Sequence, residues 1–275
     1  MNRIEDYSKL ELDICNWIKD YYYMHSLDSL VVGVSGGIDS AVVSTLCAKT
    51  ELPTYVVRMP LLSKHKNSQL SDDHAKALEE KYDNVINIQV ELSSVYDQVM
   101  HSINWWSDAQ HFEKGEFTSD PLTSANTKAR IRMITLYQIA GAKRGIVVGT
   151  GNKVEDYGIG FFTKHGDGGV DIAPIADLYK TEVRELGRHL GVSVDIINAP
   201  PTDGLWDDDR TDEDQIGATY NDLELIMNIL EKGVDPNKID DELKGKYDIY
   251  IKHHTANKHK MIGIPICKIP KELKL

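Results

Sequence analysis

The sequence predicts an α/β protein, with a doubly wound parallel sheet and helices on both of its faces. Short runs of β-branched apolar residues recur along the chain, and segments with helical periodicity separate them, which is the pattern of βαβ units. A glycine-rich turn follows the first of these runs. The 275 residues fit one large domain, spanning 1–275, better than two ordinary ones.

The first half of the chain contains an N-terminal helix and three strands. Apolar and aromatic residues between Ile4 and Tyr21 recur at the spacing of one helix face, and we expect the aromatic ones to face a core or another subunit. Strands are predicted at 30–34, 55–59 and 85–90, and a fourth at 146–148. A helix is expected between the second and third strands, beginning near Ser71 as its N-cap.

The second half is predicted to be mainly helical. A long helix is expected from about 124 to 142, and another from 180 to 190, where Gly191 would stop it. The polar stretches 108–124 and 202–215 lack periodicity, and we expect both to be surface loops.

Charge and composition exclude several classes of protein. The chain has 31 Lys and Arg against 43 Asp and Glu, a net charge of −12, which repels a phosphate backbone and argues against a nucleic-acid partner. No apolar run is long enough to span a bilayer, so we expect a cytoplasmic protein without a membrane partner. Cys15, Cys47 and Cys267 form no CxxC pair, which argues against a disulfide framework or a cysteine-based metal or thiolation site.

The stretch VVGVSGGIDS, residues 31–40, predicts a phosphate-binding loop. It follows the first strand and precedes a helix, so backbone N–H groups and the helix N-terminus can meet an anion there. No Walker A string occurs in the sequence, which argues against a P-loop NTPase. Asp39 suits such a loop when Mg²⁺ accompanies the phosphate. The alternative is a glycine-rich turn with a capping aspartate.

This SGGxDS loop resembles that of the N-type ATP pyrophosphatases, which have the adenine nucleotide alpha-hydrolase-like fold. Those enzymes cleave ATP between its α- and β-phosphates and transfer AMP to an oxygen of the substrate. The resemblance implies this chemistry and leaves the substrate open.

A second block, GFFTKHGDGGVD at 160–171, is similar to the most specific stretch of the NAD synthetases. NTKARIRM at 126–133, APPTDGLW at 199–206 and NKHKM at 257–261 also resemble elements of that family, so the resemblance covers nearly the whole chain. It implies ATP-dependent amidation of deamido-NAD to NAD by ammonia, through an acyl-adenylate, with release of AMP and pyrophosphate.

The resemblance also implies site residues. Asp39, Lys180 and Lys164 would be catalytic, and Mg²⁺ would bind Asp39 and Glu155. ATP would contact Gly33, Val34, Ser35, Gly36, Gly37, Ile38, Asp39, Ser40, Thr150, Lys180 and Thr202. Deamido-NAD would contact Arg130, Lys164, Asp171, His259 and Lys260.

Two spacings depart from the family pattern. Counting from Thr150 selects Glu155 as the second metal ligand, whereas counting back from Gly160 selects Asp156, and we prefer Glu155. The segment after NKHKM also has an unusual spacing to its proline, which weakens the assignment of His259 and Lys260.

The resemblance further implies a homodimer, with deamido-NAD lying across the subunit interface. Glutamine-using members of the family carry an additional amidohydrolase domain with a catalytic cysteine, longer than the segment before residue 30, so free ammonia is the expected nitrogen source. Two alternatives are a tRNA-modifying enzyme of the same superfamily and a non-catalytic nucleotide-binding module.

Several other polar residues have ordinary structural explanations. We expect Asp207, Asp208 and Asp209 to form a solvated acidic turn, and His253 and His254 to lie on a helix surface. Arg58 either faces the ATP base or sugar, or pairs with an acidic neighbour.

Overall fold

The central feature of the fold is a parallel sheet, seen in a computed structural model that describes residues 3–62, 65–110, 112–113, 115–201, 211–234 and 240–274. Within these residues the sheet has four strands in the order β3-β2-β1-β4. They are β1 Ser29–Gly33, β2 Thr54–Arg58, β3 Val85–Gln89 and β4 Gly145–Val147. All three pairings are parallel, so the predicted parallel sheet is confirmed.

Helices surround the sheet and continue beyond it. They are α1 Tyr7–Met24, α2 Ile38–Lys49, α3 His65–Lys81, α4 Ser93–Ala109, α5 Pro121–Ala142, α6 Lys180–Leu190, α7 Val194–Ile197, α8 Asp212–Ile216, α9 Tyr220–Glu231 and α10 Asp241–Met261, with a π-helix at Lys153–Ile159 and a 3₁₀ turn at Lys271–Leu273. In the part of the chain described, none of these helices combines the length and the apolar character needed to cross a bilayer.

The two faces of the sheet bury different sets of side chains. Leu30 and Val32 of β1 pack in a cluster with residues of α1, α2, α3 and α6, whereas Val31 packs on the opposite face with residues of α4 and α5. This alternation follows from the two-residue period of a strand. The sheet is therefore doubly wound, as predicted.

A third apolar cluster lies beyond β4. It joins the π-helix, α9 and α10 around Ile159, Tyr220 and Leu223. This cluster fixes the segment that follows the carboxyl end of β4, which is the edge where open parallel sheets bind their ligands.

The prediction that Ser71 caps a helix was wrong. The helix α3 begins at His65 and contains Ser71 in its interior. The Ser71 hydroxyl donates to the carbonyl of Ser68 at 3.0 Å, the bond that serine makes within a helix rather than at its start.

The predicted loop at 108–124 is shorter than expected. Helix α4 continues through Ala109, and α5 begins at Pro121 with Asp120 as its N-cap, accepting from the Thr123 N–H at 2.7 Å. Aspartate at the N-cap followed by proline is a strong helix-start signal that the weak periodicity obscured. In the predicted loop at 202–215, Thr211 caps the short helix α8, and residues 202–210, including Asp207, Asp208 and Asp209, lie outside the described residues.

His74 provides a pH test of the fold. It is buried between α3 and α2, where its Nε2 lies 2.9 Å from the Ser44 hydroxyl, and burial lowers the pKa of His74 from 6.5 to about 4. The unfolded chain therefore binds one more proton than the folded chain between these values, and stability is lost as the pH falls through this window.

We expect the free energy of unfolding to fall below pH 6.5 with a contribution from His74 of up to about 1.4 kcal/mol per pH unit. Urea denaturation at several pH values between 7 and about 4 measures this free energy of unfolding. The variant His74→Gln, which cannot titrate, should show a shallower pH dependence. If the free energy of unfolding changed equally with pH in both proteins, His74 would not be the source of the pH dependence.

Candidate active site

The SGG loop connects β1 to α2 at the carboxyl edge of the sheet. Gly36 has φ +90°, which residues with a Cβ rarely adopt. The loop is held by its two serines: the Ser35 N–H donates to the Ser40 hydroxyl at 3.2 Å, and the Gly37 N–H donates to the Ser35 hydroxyl at 3.2 Å. The first turn of α2 begins directly after the loop, so its free N–H groups are directed at the same point.

Lys180 joins two carboxylates at the mouth of this loop. Its Nζ donates to Asp39 Oδ2 at 2.5 Å and to Glu155 Oε1 at 2.8 Å. The lysine side chain is 4% exposed, and those of Asp39 and Glu155 are 16% and 15% exposed. The structure therefore brings together three residues that the sequence suggested, from α2, the π-helix and α6.

Asn152, which was not predicted, holds the Asp39 carboxylate and the backbone at Glu155 in place. Its Nδ2 donates to Asp39 Oδ1 at 3.2 Å, and its Oδ1 accepts from the Val154 and Glu155 N–H groups at 3.1 Å each. Asn152 is thus the N-cap of the π-helix, and it is fully buried. π-Helical turns are rare and frequently occur at functional sites.

Tyr220, at the start of α9, also contacts the site. Its hydroxyl donates to Glu155 Oε1 at 2.5 Å and also lies 3.3 Å from Asp212 Oδ2. Its ring lies beneath the Lys180 ammonium, 5.0 Å from it. The N-terminus of α9 therefore limits where the Glu155 side chain can point.

The carboxylates around Lys180 favour the protonated form of this lysine. Burial alone would lower the pKa of Lys180, but Asp39, Glu155 and Asp212 raise it above its ordinary value, so the ammonium persists. Burial, together with Glu155, raises the pKa of Asp39 against the attraction of Lys180. Burial would also raise the pKa of Glu155, but Lys180 and the hydrogen bonds around that carboxylate lower it.

Asp156, the alternative to Glu155, is placed differently. Its carboxyl group lies against Gly151, where a Cβ would fall 1.9 Å from Asp156 Oδ2. Burial, followed by the charges of Glu155, Asp167 and Asp39, raises the pKa of Asp156 well above its usual range. Glu155 and not Asp156 therefore shares Lys180 with Asp39.

The start of α6, which carries Lys180, is anchored by buried carboxylates. Glu182 accepts from the Tyr179 N–H at 2.9 Å and from Arg3 Nη2 at 2.7 Å, and Glu224 accepts from the Thr181 N–H at 2.9 Å. The guanidinium of Arg3 also lies 3.9 Å from the centre of the Tyr179 ring. These contacts fix the backbone on both sides of Lys180.

Three of the expected deamido-NAD residues meet where the end of α10 contacts the GFFTK segment. Lys164 Nζ donates to the His259 carbonyl at 3.0 Å, and Lys260 Nζ donates to the Phe162 carbonyl at 2.8 Å. Arg130 of α5 donates to the Lys164 carbonyl at 3.4 Å. The structure thus gathers Arg130, Lys164, His259 and Lys260 in one region.

The remaining expected residues are more dispersed. Asp171 accepts from the Tyr137 hydroxyl at 3.1 Å and from the Val147 N–H at 2.7 Å, beside β4. Thr150 lies between β4 and the π-helix, close in sequence to Asn152. Thr202 lies outside the described residues.

Arg58 and the two histidines have structural partners. Arg58 pairs with Asp72 at 2.7 Å, which favours the acidic neighbour of the two interpretations left open. His253 donates to the Ile216 carbonyl at 3.1 Å and His254 donates to the Gly158 carbonyl at 2.7 Å. Both histidines lie on helix α10, as expected, and they are half-buried where they tie α10 to Ile216 and Gly158.

The carboxylates fit a divalent cation that also binds phosphate. Within the described ranges there is no cluster of three or more His, Cys, Asp or Glu residues able to hold a metal ion. Asp39 and Glu155 instead form a pair, and Mg²⁺ typically binds one or two carboxylates together with substrate phosphates. Among the described residues, the Lys180 ammonium pairs with Asp39 and Glu155 and also feels the charge of Asp212, so a further positive charge would be stabilised here.

Fold and site together define the class of the protein: an α/β enzyme whose candidate site, with a glycine-rich loop, lies at the carboxyl edge of a parallel sheet, where such folds bind their ligands. A family model described as NAD synthase matches residues 11–261. The chain belongs to the NAD synthase family.

Individual relatives agree with this assignment. An NH(3)-dependent NAD(+) synthetase from Sulfolobus acidocaldarius is 41% identical over 76% of this chain and 70% of its own length. The one from Mesoplasma florum is 36% identical over 95% of this chain and 96% of its own length. Among solved structures, the NMN synthetase of Francisella tularensis superposes with a TM-score of 0.78 at 28% identity, covering 98% of this chain and 100% of that one.

Proposed function

We propose that the chain is an ammonia-dependent NAD synthetase, a ligase that amidates deamido-NAD at the expense of ATP, and that residues 1–275 act as one catalytic domain. The buried group of Lys180, Asp39 and Glu155 beside the SGG loop carries this proposal. It combines a loop suited to phosphate, a pair of carboxylates suited to a metal, and a lysine that can reach a phosphate oxygen. The Sulfolobus and Mesoplasma relatives, both NH(3)-dependent NAD(+) synthetases, support the substrate and the nitrogen source.

The first step is adenylation. A carboxylate oxygen of the nicotinate ring attacks the α-phosphorus of ATP, the bond to the bridging oxygen breaks, and pyrophosphate leaves with the electron pair. Both reactants are anions, so the protein must position them and neutralise their charge. Lys180 and the N–H groups at the start of α2 act on the polyphosphate, while Arg130, Lys164, His259 and Lys260 hold deamido-NAD.

Mg²⁺ held by Asp39 and Glu155 would supply Lewis-acid stabilisation of the departing pyrophosphate. The chain's own contribution is to orient those two carboxylates. Asn152 donates to Asp39 and Tyr220 donates to Glu155, so both carboxylates are held in place beside the phosphate loop.

The second step forms the amide. Neutral ammonia attacks the acyl carbon of the adenylate, the bond from that carbon to the oxygen bridging to phosphorus breaks, and AMP leaves with that oxygen and the electron pair, while the nitrogen loses a proton to solvent or to a base. The reaction needs no protein nucleophile. Burial raises the pKa of the Cys15 thiol to about 11 and raises that of Cys47 further, so neither thiol is available as a glutaminase nucleophile.

A substrate assay tests the function. Purified protein is given ATP, Mg²⁺ and ammonium, with either deamido-NAD or nicotinate mononucleotide, because the Francisella relative is an NMN synthetase. We expect pyrophosphate and NAD from deamido-NAD, with a much smaller kcat/KM for the mononucleotide. Preference for the mononucleotide would reassign the substrate, and pyrophosphate release that needs a tRNA would favour the tRNA-modifying alternative. Binding of ATP without turnover of deamido-NAD, the mononucleotide or a tRNA would favour a non-catalytic nucleotide-binding module.

The nitrogen source gives a separate prediction. Activity with ammonium salts should rise as the pH approaches the ammonium pKa, because only neutral NH₃ has a lone pair for the attack. Glutamine alone should yield little NAD. The control is Cys267→Ser, which removes the exposed thiol and should leave both results unchanged. Transfer of ¹⁵N from amide-labelled glutamine into NAD by this chain alone would contradict the prediction.

We also propose that the enzyme acts as a homodimer. A dinucleotide is long compared with a single cleft at a sheet edge, and the expected deamido-NAD residues are spread from Asp171 beside β4 to the end of α10. Sedimentation at working concentrations should therefore show a dimer, and an active monomer would contradict this part of the proposal.

A further inference from the structure

Arg3, which precedes α1, is bound to the start of α6 by its guanidinium and by its backbone. Its Nε donates to Glu182 Oε1 at 2.9 Å, and its Nη2 donates to Glu182 Oε2 at 2.7 Å. The backbone N–H of Arg3 also donates to Glu182 Oε1 at 3.2 Å, and Nη2 donates to the Asp177 carbonyl at 2.8 Å. Two parallel bonds from a guanidinium to a carboxylate fix the orientation of both groups as well as their distance.

This ion pair is enclosed by the protein and by an aromatic ring. The side chain of Glu182 is 1% exposed and that of Arg3 is 26% exposed. The guanidinium carbon lies 3.9 Å from the centre of the Tyr179 ring, which is fully buried. A planar guanidinium can lie against a ring and make a two-bond pair at the same time, whereas a lysine ammonium cannot. The contact therefore depends on the shape of arginine and not only on its charge.

The contacts of Arg3 lie on both sides of Lys180 in the sequence. Lys180 is the first residue of α6, and Tyr179 is the N-cap of that helix. Glu182 accepts from the Tyr179 N–H at 2.9 Å, so the carboxylate that Arg3 orients also closes the start of the helix. The backbone before and after Lys180 is thereby attached to Arg3.

The same segment adjoins the π-helix that carries Glu155. The Leu178 carbonyl accepts from the N–H of Lys153, the first residue of the π-helix, at 2.9 Å. The Lys153 ammonium also pairs with Asp177 at 3.0 Å. Residues 177–179 therefore link the two elements that carry Glu155 and Lys180.

The ammonium of Lys180 depends on an accurate placement of its backbone. Its Nζ lies 2.5 Å from Asp39 Oδ2 and 2.8 Å from Glu155 Oε1, so a shift of α6 would move it away from both carboxylates. Misplacement of a catalytic group by about 1 Å can cost roughly 10²-fold in rate.

We propose that Arg3 is a positioning residue for the adenylation step. It acts through Glu182 to fix the backbone of Lys180, and so holds the Lys180 ammonium where it meets the polyphosphate. This inference rests on the proposed function and on the part that Lys180 has in it.

Glu224 of α9 gives the start of α6 a second attachment that does not involve Arg3. It accepts from the Thr181 N–H at 2.9 Å and from the Thr181 hydroxyl at 2.6 Å. Because this attachment remains when Arg3 is replaced, the start of α6 should be displaced and not unfolded. We therefore expect a loss of about 10-fold in the rate of adenylation, smaller than the roughly 10²-fold cost of removing a direct electrostatic contact.

Single-turnover formation of AMP is measured for the wild type, Arg3→Gln and Arg3→Lys. Both variants should be slower by about 10-fold, with an unchanged deamido-NAD concentration at half-maximal rate, and Arg3→Lys should fail because it cannot make two parallel bonds. The matched control is Arg144→Gln, which breaks an ion pair with Asp28 between two exposed side chains and should behave like the wild type. A wild-type rate for Arg3→Lys would show that charge alone suffices and would overturn the proposal.

Combination with Lys180→Gln separates positioning from a general effect on the fold. If Arg3 acts through Lys180, then Arg3→Gln should slow the Lys180→Gln protein no further, because residues that act as a unit are not additive. An equal loss in both backgrounds would mean that Arg3 acts elsewhere, and the proposal would fail. Circular dichroism with thermal unfolding checks that each protein is folded, and Arg3→Lys, which keeps a positive charge beside Glu182, replaces Arg3→Gln if that variant is unstable.

Hydrogen–deuterium exchange of a peptide covering residues 177–183 gives a readout without turnover. In Arg3→Gln its amides should exchange at least about 10-fold faster, since the Tyr179 N–H loses an oriented acceptor, whereas the amides of α2 should keep their wild-type rates. Unchanged exchange of this peptide would refute the role of Arg3, even in an enzyme that makes NAD normally. A wild-type protein that forms no AMP from ATP and deamido-NAD would instead refute the proposed function, and with it the role of Arg3 in adenylation.

Discussion

Replacing Asp39 by asparagine is expected to lower the rate of ATP-dependent pyrophosphate release by about 10²-fold or more, the loss seen when a preorganised electrostatic contact is removed. Asp39 is held by Lys180 and Asn152, so its carboxylate is fixed before substrates bind. Asparagine keeps the shape of the side chain and removes one negative charge. The variant should therefore fold normally but bind the cation poorly.

Pyrophosphate release measured over a range of Mg²⁺ concentrations tests this result, and circular dichroism with thermal unfolding checks the fold. The matched control is Asp20→Asn, which removes a carboxylate from the exposed face of α1 and should behave like the wild type. Near-normal activity of Asp39→Asn at ordinary Mg²⁺ would refute the metal role of Asp39.

Glu155→Gln is expected to inactivate the enzyme, whereas Asp156→Asn is expected to leave it active. Glu155 shares Lys180 with Asp39 and accepts from Tyr220, so glutamine removes a charge from the proposed cation site and disturbs two hydrogen bonds. A loss of about 10²-fold or more is expected, as for Asp39. Asp156 lies against Gly151 with its pKa raised by burial, and asparagine resembles a neutral carboxyl group.

Single-turnover formation of AMP measures both variants under one set of conditions, and Mn²⁺ binding by electron paramagnetic resonance in the presence of pyrophosphate gives a readout independent of turnover. Weak Mn²⁺ binding by Glu155→Gln, with normal binding by Asp156→Asn, is the expected result. The reverse pattern would assign the metal to Asp156 and show that counting back from Gly160 was the correct alignment.

The strands and the faces of the sheet could be predicted because they depend on local patterns. Short β-branched runs separated by helical segments define βαβ units, and each observed strand lies within one residue of its predicted position. The start of α3 was missed because serine is favoured both as an N-cap and, as at Ser71, in a bond to an earlier carbonyl within the helix. Sequence spacing alone does not distinguish the two uses.

The site was only partly predictable, because some of its parts come from distant elements. Asp39, Glu155 and Lys180 lie in recognisable motifs. Asn152 could have been found, since asparagine followed three residues later by glutamate is a helix-start pattern. Tyr220 could not have been found from the sequence, because nothing distinguishes it from other aromatic core residues. Its role is visible only once α9 packs beside the π-helix.

The anchoring of α6 has a consequence for the order in which the protein folds. Arg3 and Glu182 are 179 positions apart, and Asp39 and Lys180 are 141 apart, so both ion pairs close very long loops. Such non-local contacts form slowly, because chain entropy is lost before the contact stabilises anything. We therefore expect β1, α2 and β2 to assemble early during synthesis, with the carboxylate of Asp39 still facing water. The group of Asp39, Glu155 and Lys180 would be completed only after α6 has left the ribosome and met the N-terminal residues, so the candidate site would become native later than the sheet that carries it.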